Sequence, residues 1–397
     1  MSATDPVLPP GDPAPELLDG RLWVDGCWDF FHHGHAGAMV QARQLGAELY
    51  VGVHSDEAIL ENKGPTVMNL AERLLAIDAC RWVTQSVSHA PYVTQLDWIS
   101  HFGCRYVVHG DDITSDSAGE DCYRFVKAAD RFKVVKRTPK ERSKEAEGMR
   151  ERIRLYATDE TAKAPGADVW FWRGEKGCKE LFKGVGPRPG QRVVYVDGGF
   201  DLFSSGHIQF LRLVTEAEEE LARKEGWYEE QAVNERKGKG EDYSPVFVVA
   251  GVHNDEVINK WKGVNYPIMN IYERGLCVLQ CKYINAVIFG APFTPTKKYL
   301  TSLPWGTPDA VYHGPTSFMP FTDDVYTEPK AMGIYHEIGH HEFEEVNAGT
   351  IVQRIMKSRD LYEARQKAKG MKADLEAAHR QREILEEEQR KKEEAAR

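Results

Sequence analysis

Short runs of β-branched and aromatic residues recur along the chain, and the segments between them carry apolar residues at helical spacing. The first half contains the strand candidates RLWVDGC (21–27), ELYVGV (48–53), RWVTQSV (81–87) and CRYVVHG (104–110). The second half contains RVVYVDGG (192–199), VFVVAGV (246–252), INAVIF (284–289) and AVYHG (310–314). Strands that alternate with helices predict parallel sheets with helices on both faces, which is an α/β fold.

The two halves also repeat each other's sequence in the same order. The matched pairs are VDGCWDFF (24–31) with VDGGFDLF (196–203), GVHSDE (52–57) with GVHNDE (251–256), and VVHGDD (107–112) with VYHGPT (311–316). Lys63-Gly64 corresponds to Lys262-Gly263, and Glu72-Arg73 to Glu273-Arg274. The second copy carries a polar insertion near 215–244. A repeat of this length predicts a duplicated domain rather than a solenoid.

These patterns divide the chain into five predicted segments. They are a disordered N-terminal segment (1–20), a first domain (21–138), a linker (139–190), a second domain (191–358) and a charged helical tail (359–397). The tail is typical of a solvated helix with i,i+4 charge pairs. A membrane-surface helix is the weaker alternative, because the tail lacks Trp, Phe and a broad apolar face.

Composition narrows the class of protein. The 397 residues are 42% hydrophobic and 28% charged, with a formal net charge of −10, which argues against wide nucleic-acid binding. No apolar run approaches the ~20 residues of a transmembrane helix. The 7 cysteines include no CxxC pair, which favours a reducing compartment. From this composition we expect a cytoplasmic protein. Peripheral association at the endoplasmic reticulum and a homodimer are further expectations that composition does not decide.

The stretch DFFHHGHAG (29–37) places three histidines beside a glycine where a strand ends and a helix begins. Free backbone N–H groups at a helix N-terminus bind anions, and a glycine at 34 lets the backbone approach closely. Two alternatives are a metal site, with His33 and His54 as further ligands, and an exposed polar turn. Lys63 and Arg73 follow the next strand and favour phosphate, as a point charge and a planar fork.

The carboxyl ends of parallel strands meet at one edge, so these segments should converge there. His32-His33-Gly34-His35 resembles the HxGH signature of nucleotidylyltransferases. Together with Lys63-Gly64, Glu72-Arg73 and the HGDD sequence at 109–112, and with the arrangement present twice, the chain resembles the ethanolamine-phosphate cytidylyltransferases. The resemblance covers roughly 20–138 and 150–365. It implies two tandem Rossmann-like nucleotidylyltransferase domains, whereas choline-phosphate cytidylyltransferases look similar in one domain only.

The resemblance implies that phosphoethanolamine attacks CTP, giving CDP-ethanolamine and pyrophosphate. His32, His35 and Lys63 would be the catalytic residues, and Mg²⁺ would accompany CTP. The nucleotide-binding residues would be Gly26, Cys27, Trp28, Gly34, Arg73, His109, Gly110, Asp111, Asp112, Arg137 and Thr138. In the second copy, the frame DLFSSGHIQ (201–209) has lost the first histidine, which predicts a weak or silent site. A weaker nucleotide site there would use Gly199, Phe200, Gly206, His207, Lys262, His313, Gly314 and Thr316.

The first copy departs from the family after Arg137-Thr138. The Arg-Thr-x-Gly-x-Ser-Thr motif is incomplete, and KERSKEAEGMRERIR (140–154) lacks the apolar helix expected next, which would expose one face of the first domain. A splice variant, an incomplete gene model and a genuine loss all explain this. A non-catalytic nucleotide-binding or regulatory subunit is therefore one alternative function. A transferase for phosphocholine or glycerol 3-phosphate is another. The quaternary ammonium of phosphocholine would require an aromatic cage, for which Trp28, Trp82 and Tyr92 are candidates.

Overall fold

The computed structural model describes residues 8, 15–111, 114–135, 146–240, 242–314, 324–367 and 370. The strands are β1 Leu18–Gly26, β2 Glu48–Val53, β3 Gln85–Ser88, β4 Cys104–Gly110, β5 Phe132–Val135, β6 Asp168–Trp172, β7 Cys178–Phe182, β8 Arg192–Gly198, β9 Val246–His253, β10 Ala286–Ala291, β11 Ala310–His313 and β12 Tyr335–Glu337. The helices are α1 His33–Gln44, α2 Asp56–Lys63, α3 Leu70–Asp78, α4 Leu96–His101, α5 Arg124–Ala128, α6 Ala146–Tyr156, α7 Ser205–Lys224, α8 Glu230–Gly238, α9 Asp255–Lys262, α10 Ile271–Leu279, α11 Lys297–Thr301, α12 Thr327–Ala331 and α13 Ala348–Lys357.

Two sheets with the same strand order form the frame of the molecule. The first sheet has the order β3-β2-β1-β4-β5, and all of its strand pairs are parallel. The second has the order β12-β11-β8-β9-β10-β6-β7, in which the first five strands repeat the first sheet in reverse. The predicted pair of Rossmann-like α/β domains is confirmed. In each sheet the chain order switches beside the first strand, at β1/β4 and at β8/β11, where ligands of such folds bind.

The prediction that residues 139–190 form a linker is wrong in part. This segment contains α6, β6 and β7, and β6 joins the second sheet in parallel to β10, while β7 pairs antiparallel to β6. The run DVWFW (168–172) supplies the aromatic residues that favour a strand. Strand β1 also begins at Leu18, inside the segment 1–20 that was expected to be disordered.

A helix is present where the sequence predicted its absence. Helix α6 follows the residues that depart from the family motif and buries Ile153 and Tyr156. Tyr156 donates a hydrogen bond to the backbone carbonyl of His33, and the backbone carbonyl of Met149 accepts one from Tyr272. Met149, Ile153 and Tyr156 fall on one face of α6, and through this face the charged helix contacts both halves.

The two halves pack against each other through a common apolar cluster. Core residues of both sheets belong to it, and backbone hydrogen bonds cross the junction from Arg81 to Gln280 (2.8 Å) and from Lys282 to Ala79 (2.8 Å). The guanidinium of Arg81 also donates to the carbonyls of Cys281 (3.0 Å) and Ile284 (2.6 Å). The halves therefore form one folded unit. None of the helices in the described ranges is long and apolar enough to span a membrane.

Candidate active site

The loop between β1 and α1 has an unusual backbone that both copies share. Trp28 and Phe30 have positive φ values of 56° and 52°, and the equivalent Phe200 and Leu202 have values of 50° and 46°. Residues other than glycine rarely adopt this region, and such strain concentrates at functional loops. In the first copy the indole N–H of Trp28 donates to the carbonyl of Gly52 (2.8 Å), which ties the loop to β2. The duplication preserved this geometry although the side chains changed.

Helix α1 begins in a capping box built from the two signature histidines. His32 is the N-cap, and its Nδ1 accepts a hydrogen bond from the backbone N–H of Gly34 (2.9 Å). The Nδ1 of His35 accepts from the backbone N–H of His32 (3.5 Å). The two rings stack with centroids 4.0 Å apart. Because Nδ1 acts as an acceptor, the proton of each neutral ring lies on Nε2, which leaves Nε2–H as a donor for a ligand.

Both rings are held in the neutral form. His32 is exposed as a residue, but its ring packs on those of His35 and His33; the resulting desolvation of the ring, followed by the nearby His33, lowers the pKa of His32 to about 4. Burial also lowers the pKa of His35 well below its usual value. His32, Lys63 and His33 act in the same direction, and a backbone hydrogen bond with Phe30 opposes them. The first turn of α1 contains no acidic residue, so the positive end of the helix dipole is not offset. The turn therefore offers neutral N–H donors and a helix N-terminus, which suits phosphate oxygens.

Lys63 brings a positive charge to the same edge of the sheet. It is the last residue of α2, and Gly64 follows it with φ 92°. Its Nζ lies 5.6 Å from the ring centroid of Tyr92, which packs on His54. The charge of Lys63 contributes to lowering the pKa of His35, after burial and His32, so the two side chains share one electrostatic environment. The predicted catalytic residues thus converge at the carboxyl ends of β1 and β2.

Arg73 is buried beneath the loop between β1 and α1 and binds its backbone, so its guanidinium does not present a planar fork to a ligand. It is 1% exposed, and its guanidinium donates to the carbonyls of Met68 (3.2 Å) and Cys27 (2.6 Å) and to the carboxylate of Asp56 (2.6 Å). In the second copy, Arg274 holds the equivalent carbonyls and the carboxylate of Asp255. An arginine clamp that survives in both copies acts on the loop backbone, so its loss would disturb Cys27 and its neighbours.

Sequence reasoning missed Asp29, which links the loop between β1 and α1 to the loop that follows Lys63. Its carboxylate accepts from the backbone N–H groups of Val67 (3.1 Å) and Met68 (2.9 Å). Asp201 accepts from Ile268 and Met269 in the same way. The signal was available, because this aspartate is preserved in both repeats while its neighbours change.

The end of β4 is tied to the end of β1. The ring of His109 packs on Tyr123 with centroids 4.6 Å apart, and the Tyr123 hydroxyl donates to the buried carboxylate of Asp25 (2.9 Å). Gly110 ends β4, and Asp111 follows it on the surface. His313 contacts Tyr326 equivalently in the second copy, before Gly314. Four predicted nucleotide-binding residues lie outside the described residues, namely Asp112, Arg137, Thr138 and Thr316.

Two alternatives from the sequence find no support in the geometry. Within the described ranges, no group of three or more His, Cys, Asp or Glu side chains is placed to hold a metal. The aromatic cage does not assemble either. Trp82 is 0% exposed and donates to Thr158 and to the carbonyl of Asp159, between the two halves. Trp28 is likewise buried, with its indole N–H bonded to the carbonyl of Gly52.

The equivalent turn of the second half is covered by its own chain. Ser204 and Ser205 are 4% and 1% exposed, whereas His32 lies on the surface. The Ser204 hydroxyl donates to the carbonyl of Val346 (2.6 Å), and a Cβ at Gly206 would lie 2.5 Å from that oxygen. Ser204 and His207 keep a capping box, so the helix is intact. The second copy retains the local fold while its anion-binding face is occupied by backbone.

Acid should destabilise the protein through its buried histidines. His253 donates from Nδ1 to the carbonyl of Ala291 (3.2 Å), and burial lowers its pKa to about 4. The unfolded chain, with an ordinary pKa near 6.5, binds the proton first, so stability present above pH 6.5 falls as the pH drops towards 4. We expect about 2 kcal/mol less stability from this group at pH 5 than at pH 8, measured by urea unfolding.

A His253→Asn variant serves as the control for this prediction. Asparagine retains a donor near the Nδ1 position but does not titrate, so its loss of stability between pH 8 and pH 5 should be smaller. Equal losses in the variant and the unmodified protein would contradict the assignment.

Comparison with known proteins agrees with this geometry. The cytidylyltransferase-like family profile matches residues 23–172. The ethanolamine-phosphate cytidylyltransferase of Mus musculus is 36% identical, with 91% of this chain and 92% of the relative aligned. That of Dictyostelium discoideum is 35% identical over 89% of this chain and 95% of the relative. The chain belongs to the ethanolamine-phosphate cytidylyltransferase family.

The match to the choline-phosphate branch is confined to one domain. Choline-phosphate cytidylyltransferase A of Homo sapiens is 41% identical over 121 residues, which are 30% of this chain. The ethanolamine-phosphate cytidylyltransferase family therefore accounts for both halves of the molecule, whereas the choline branch accounts for a stretch the length of one domain. The resemblance drawn from the sequence motifs is confirmed.

Proposed function

We propose that the chain transfers CMP from CTP to phosphoethanolamine, giving CDP-ethanolamine and pyrophosphate, in the synthesis of phosphatidylethanolamine. The observation that carries the proposal is the capping box of His32 and His35, which uses Nδ1 of each ring as an acceptor and leaves two neutral Nε2–H donors at a helix N-terminus. Lys63 adds the positive charge beside them. Family membership supports the choice of substrates.

The reaction requires little covalent chemistry from the protein. A phosphate oxygen of phosphoethanolamine forms a bond to the α-phosphorus of CTP, and the bond from that phosphorus to the bridging oxygen of pyrophosphate breaks. The attacking oxygen is already an anion, so no proton has to be removed. His32 and His35 donate hydrogen bonds as negative charge builds on the transferring group, and Lys63 offsets the repulsion between the two phosphates.

We place the working site in the first half. The exposed turn at His32 supports this, together with the coverage of the equivalent turn by Val346 in the second half. In this proposal Gly26, Cys27 and Trp28 line the nucleotide site with backbone, and Arg73 fixes their position. Cytoplasmic location, peripheral association at the endoplasmic reticulum and a homodimer stay predictions.

Mg²⁺ with CTP is part of the proposal. The described side chains include no ligand set of three for a metal, so the ion would be held by the triphosphate. When bound it would neutralise phosphate charge. The protein's own contribution is the set of N–H donors and the lysine.

The test is CDP-ethanolamine formation by the purified chain from CTP and phosphoethanolamine with Mg²⁺, with phosphocholine and glycerol 3-phosphate as competing substrates. We expect turnover with phosphoethanolamine and much slower turnover with the other two. CTP binding by a folded protein without turnover would instead support the non-catalytic, regulatory alternative. A preference for phosphocholine would contradict the proposed substrate.

A further inference from the structure

Helix α13 of the second half docks on the first half. Arg354 of α13 forms a bidentate ion pair with Glu72 of α3, at 2.8 and 2.9 Å. Glu72 is 2% exposed and also accepts the backbone N–H of Asn69 (2.9 Å). Ile351 packs beside Met68 and Phe30 in a small apolar cluster. A buried carboxylate of the first half is therefore neutralised by an arginine of the second.

The chain beyond α13 reaches the lysine of the candidate site. We call α13 and the helical residues 359–367 the C-terminal brace, and residues 63–68 the Lys63 loop. The hydroxyl of Tyr362 donates to the carbonyl of Thr66 (3.1 Å). The guanidinium of Arg365 donates to the carbonyl of Pro65 (2.6 Å) and lies 3.4 Å from the carboxylate of Asp29. This part of the tail, predicted to be solvated, instead fixes two consecutive carbonyls of the loop.

The equivalent loop of the second half shows what the fold is like without such a cover. Val264 is 87% exposed, and Ile268 is 48% exposed. A Cβ at Gly64 would meet Arg365 at 3.5 Å, whereas none of the described atoms lies within 4 Å of the same position at Gly263. The internal backbone contacts of Asp29 and Asp201 are alike in the two loops. The brace is thus an addition specific to the half with both histidines.

We propose that the C-terminal brace is a positioning element for Lys63, with Arg365 and Tyr362 as the residues that act on it. This inference deepens the proposed function and rests on it. A lysine on a four-carbon stem next to a glycine hinge loses much conformational freedom when it engages a ligand. Contacts that fix the loop in advance reduce the freedom that is lost on binding. The second half therefore contributes to catalysis through its C-terminus while its own turn is covered.

The test compares Arg365→Ala and Tyr362→Phe with Arg359→Ala in the full-length chain. Among the described residues Arg359 pairs with Glu363, and both are exposed, so it controls for changes to the tail itself. We expect kcat to fall about tenfold in Arg365→Ala and less in Tyr362→Phe, with a smaller change in KM for CTP. Arg365→Lys should recover part of the loss because it restores the charge beside Asp29.

Hydrogen exchange at the backbone amides of Val67 and Met68 provides a readout independent of turnover. These amides donate to Asp29, so exchange should be faster in Arg365→Ala and unchanged in Arg359→Ala. Unchanged exchange and kcat in Arg365→Ala, with an active unmodified protein, would overturn the inference and leave the function standing. Equal losses in Arg365→Ala and Arg359→Ala would also overturn it. An unmodified protein without turnover would contradict the proposed function, and the exchange data would still decide whether the brace orders the loop.

Discussion

Replacing His32 with asparagine is expected to lower kcat/KM for CDP-ethanolamine formation by about 10²–10³-fold while leaving the protein as stable as before. The reason lies in the two nitrogens of the ring. Nδ1 caps α1 by accepting the Gly34 N–H, and asparagine is among the best N-cap residues. Nε2–H is the donor assigned to the phosphate, and asparagine is too short to replace it. The substitution therefore separates capping from catalysis.

Steady-state kinetics and thermal unfolding of the same preparation measure the two effects. The control is His207→Asn in the second half. His207 corresponds to His35, because Ser204 occupies the position of His32, and its Nδ1 accepts from the backbone N–H of Ser204 (3.1 Å). Turnover should survive in this control, because the turn is covered by Val346. A large loss of turnover in His207→Asn would show that the second half takes part in the reaction. Full activity in His32→Asn would remove His32 from the mechanism.

The duplication made much of this architecture predictable. Two copies in the same order identified the strands, and ELYVGV and CRYVVHG match β2 and β4 residue for residue. The position of the site followed from parallel-sheet topology, because ligands lie at the carboxyl ends of the strands. The histidine turn was also predicted, since a glycine-bearing turn before a helix has a recognised local pattern. These features depend on short stretches of sequence.

Features that depend on long-range contacts escaped prediction. The ion pair between Arg354 and Glu72 joins residues that are 282 positions apart, and no local pattern links them. Helix α6 was missed because its charged residues are as numerous as its apolar ones, yet Ile153 is buried against the fold. Arg73 was predicted to offer its planar fork to phosphate from its residue type and its place after a strand, whereas in the structure it is buried beneath the loop and binds the loop backbone. In each case tertiary packing overrides what composition indicates.

Replacing Lys63 with methionine is expected to have the second large effect, a loss of about 10²-fold or more in kcat/KM. Methionine retains most of the length and apolar contact of lysine but removes the charge, which opposes the repulsion between the two phosphates. Lys63→Arg should retain more activity than Lys63→Met, although its planar fork differs from a compact ammonium. The measurement is initial rate against both substrates, at fixed Mg²⁺.

Lys262→Met is the matched control, because Lys262 occupies the same position at the end of α9. Burial lowers the pKa of Lys262, and Asp201 acts in the opposite direction. Val264 and Ile268 of the loop that follows Lys262 are exposed, and the turn before α7 is closed by the hydrogen bond from Ser204 to Val346. The charge of Lys262 therefore has no open phosphate-binding turn beside it. Turnover close to that of the unmodified chain is expected. If both lysine variants lost activity equally, the charge would matter to the fold rather than to the site. A loss confined to Lys63→Met would mean that the two lysine loops differ in function. They differ in length, because two more residues separate Gly263 from Met269 than Gly64 from Met68, and the C-terminal brace contacts the first loop at Pro65 and Thr66.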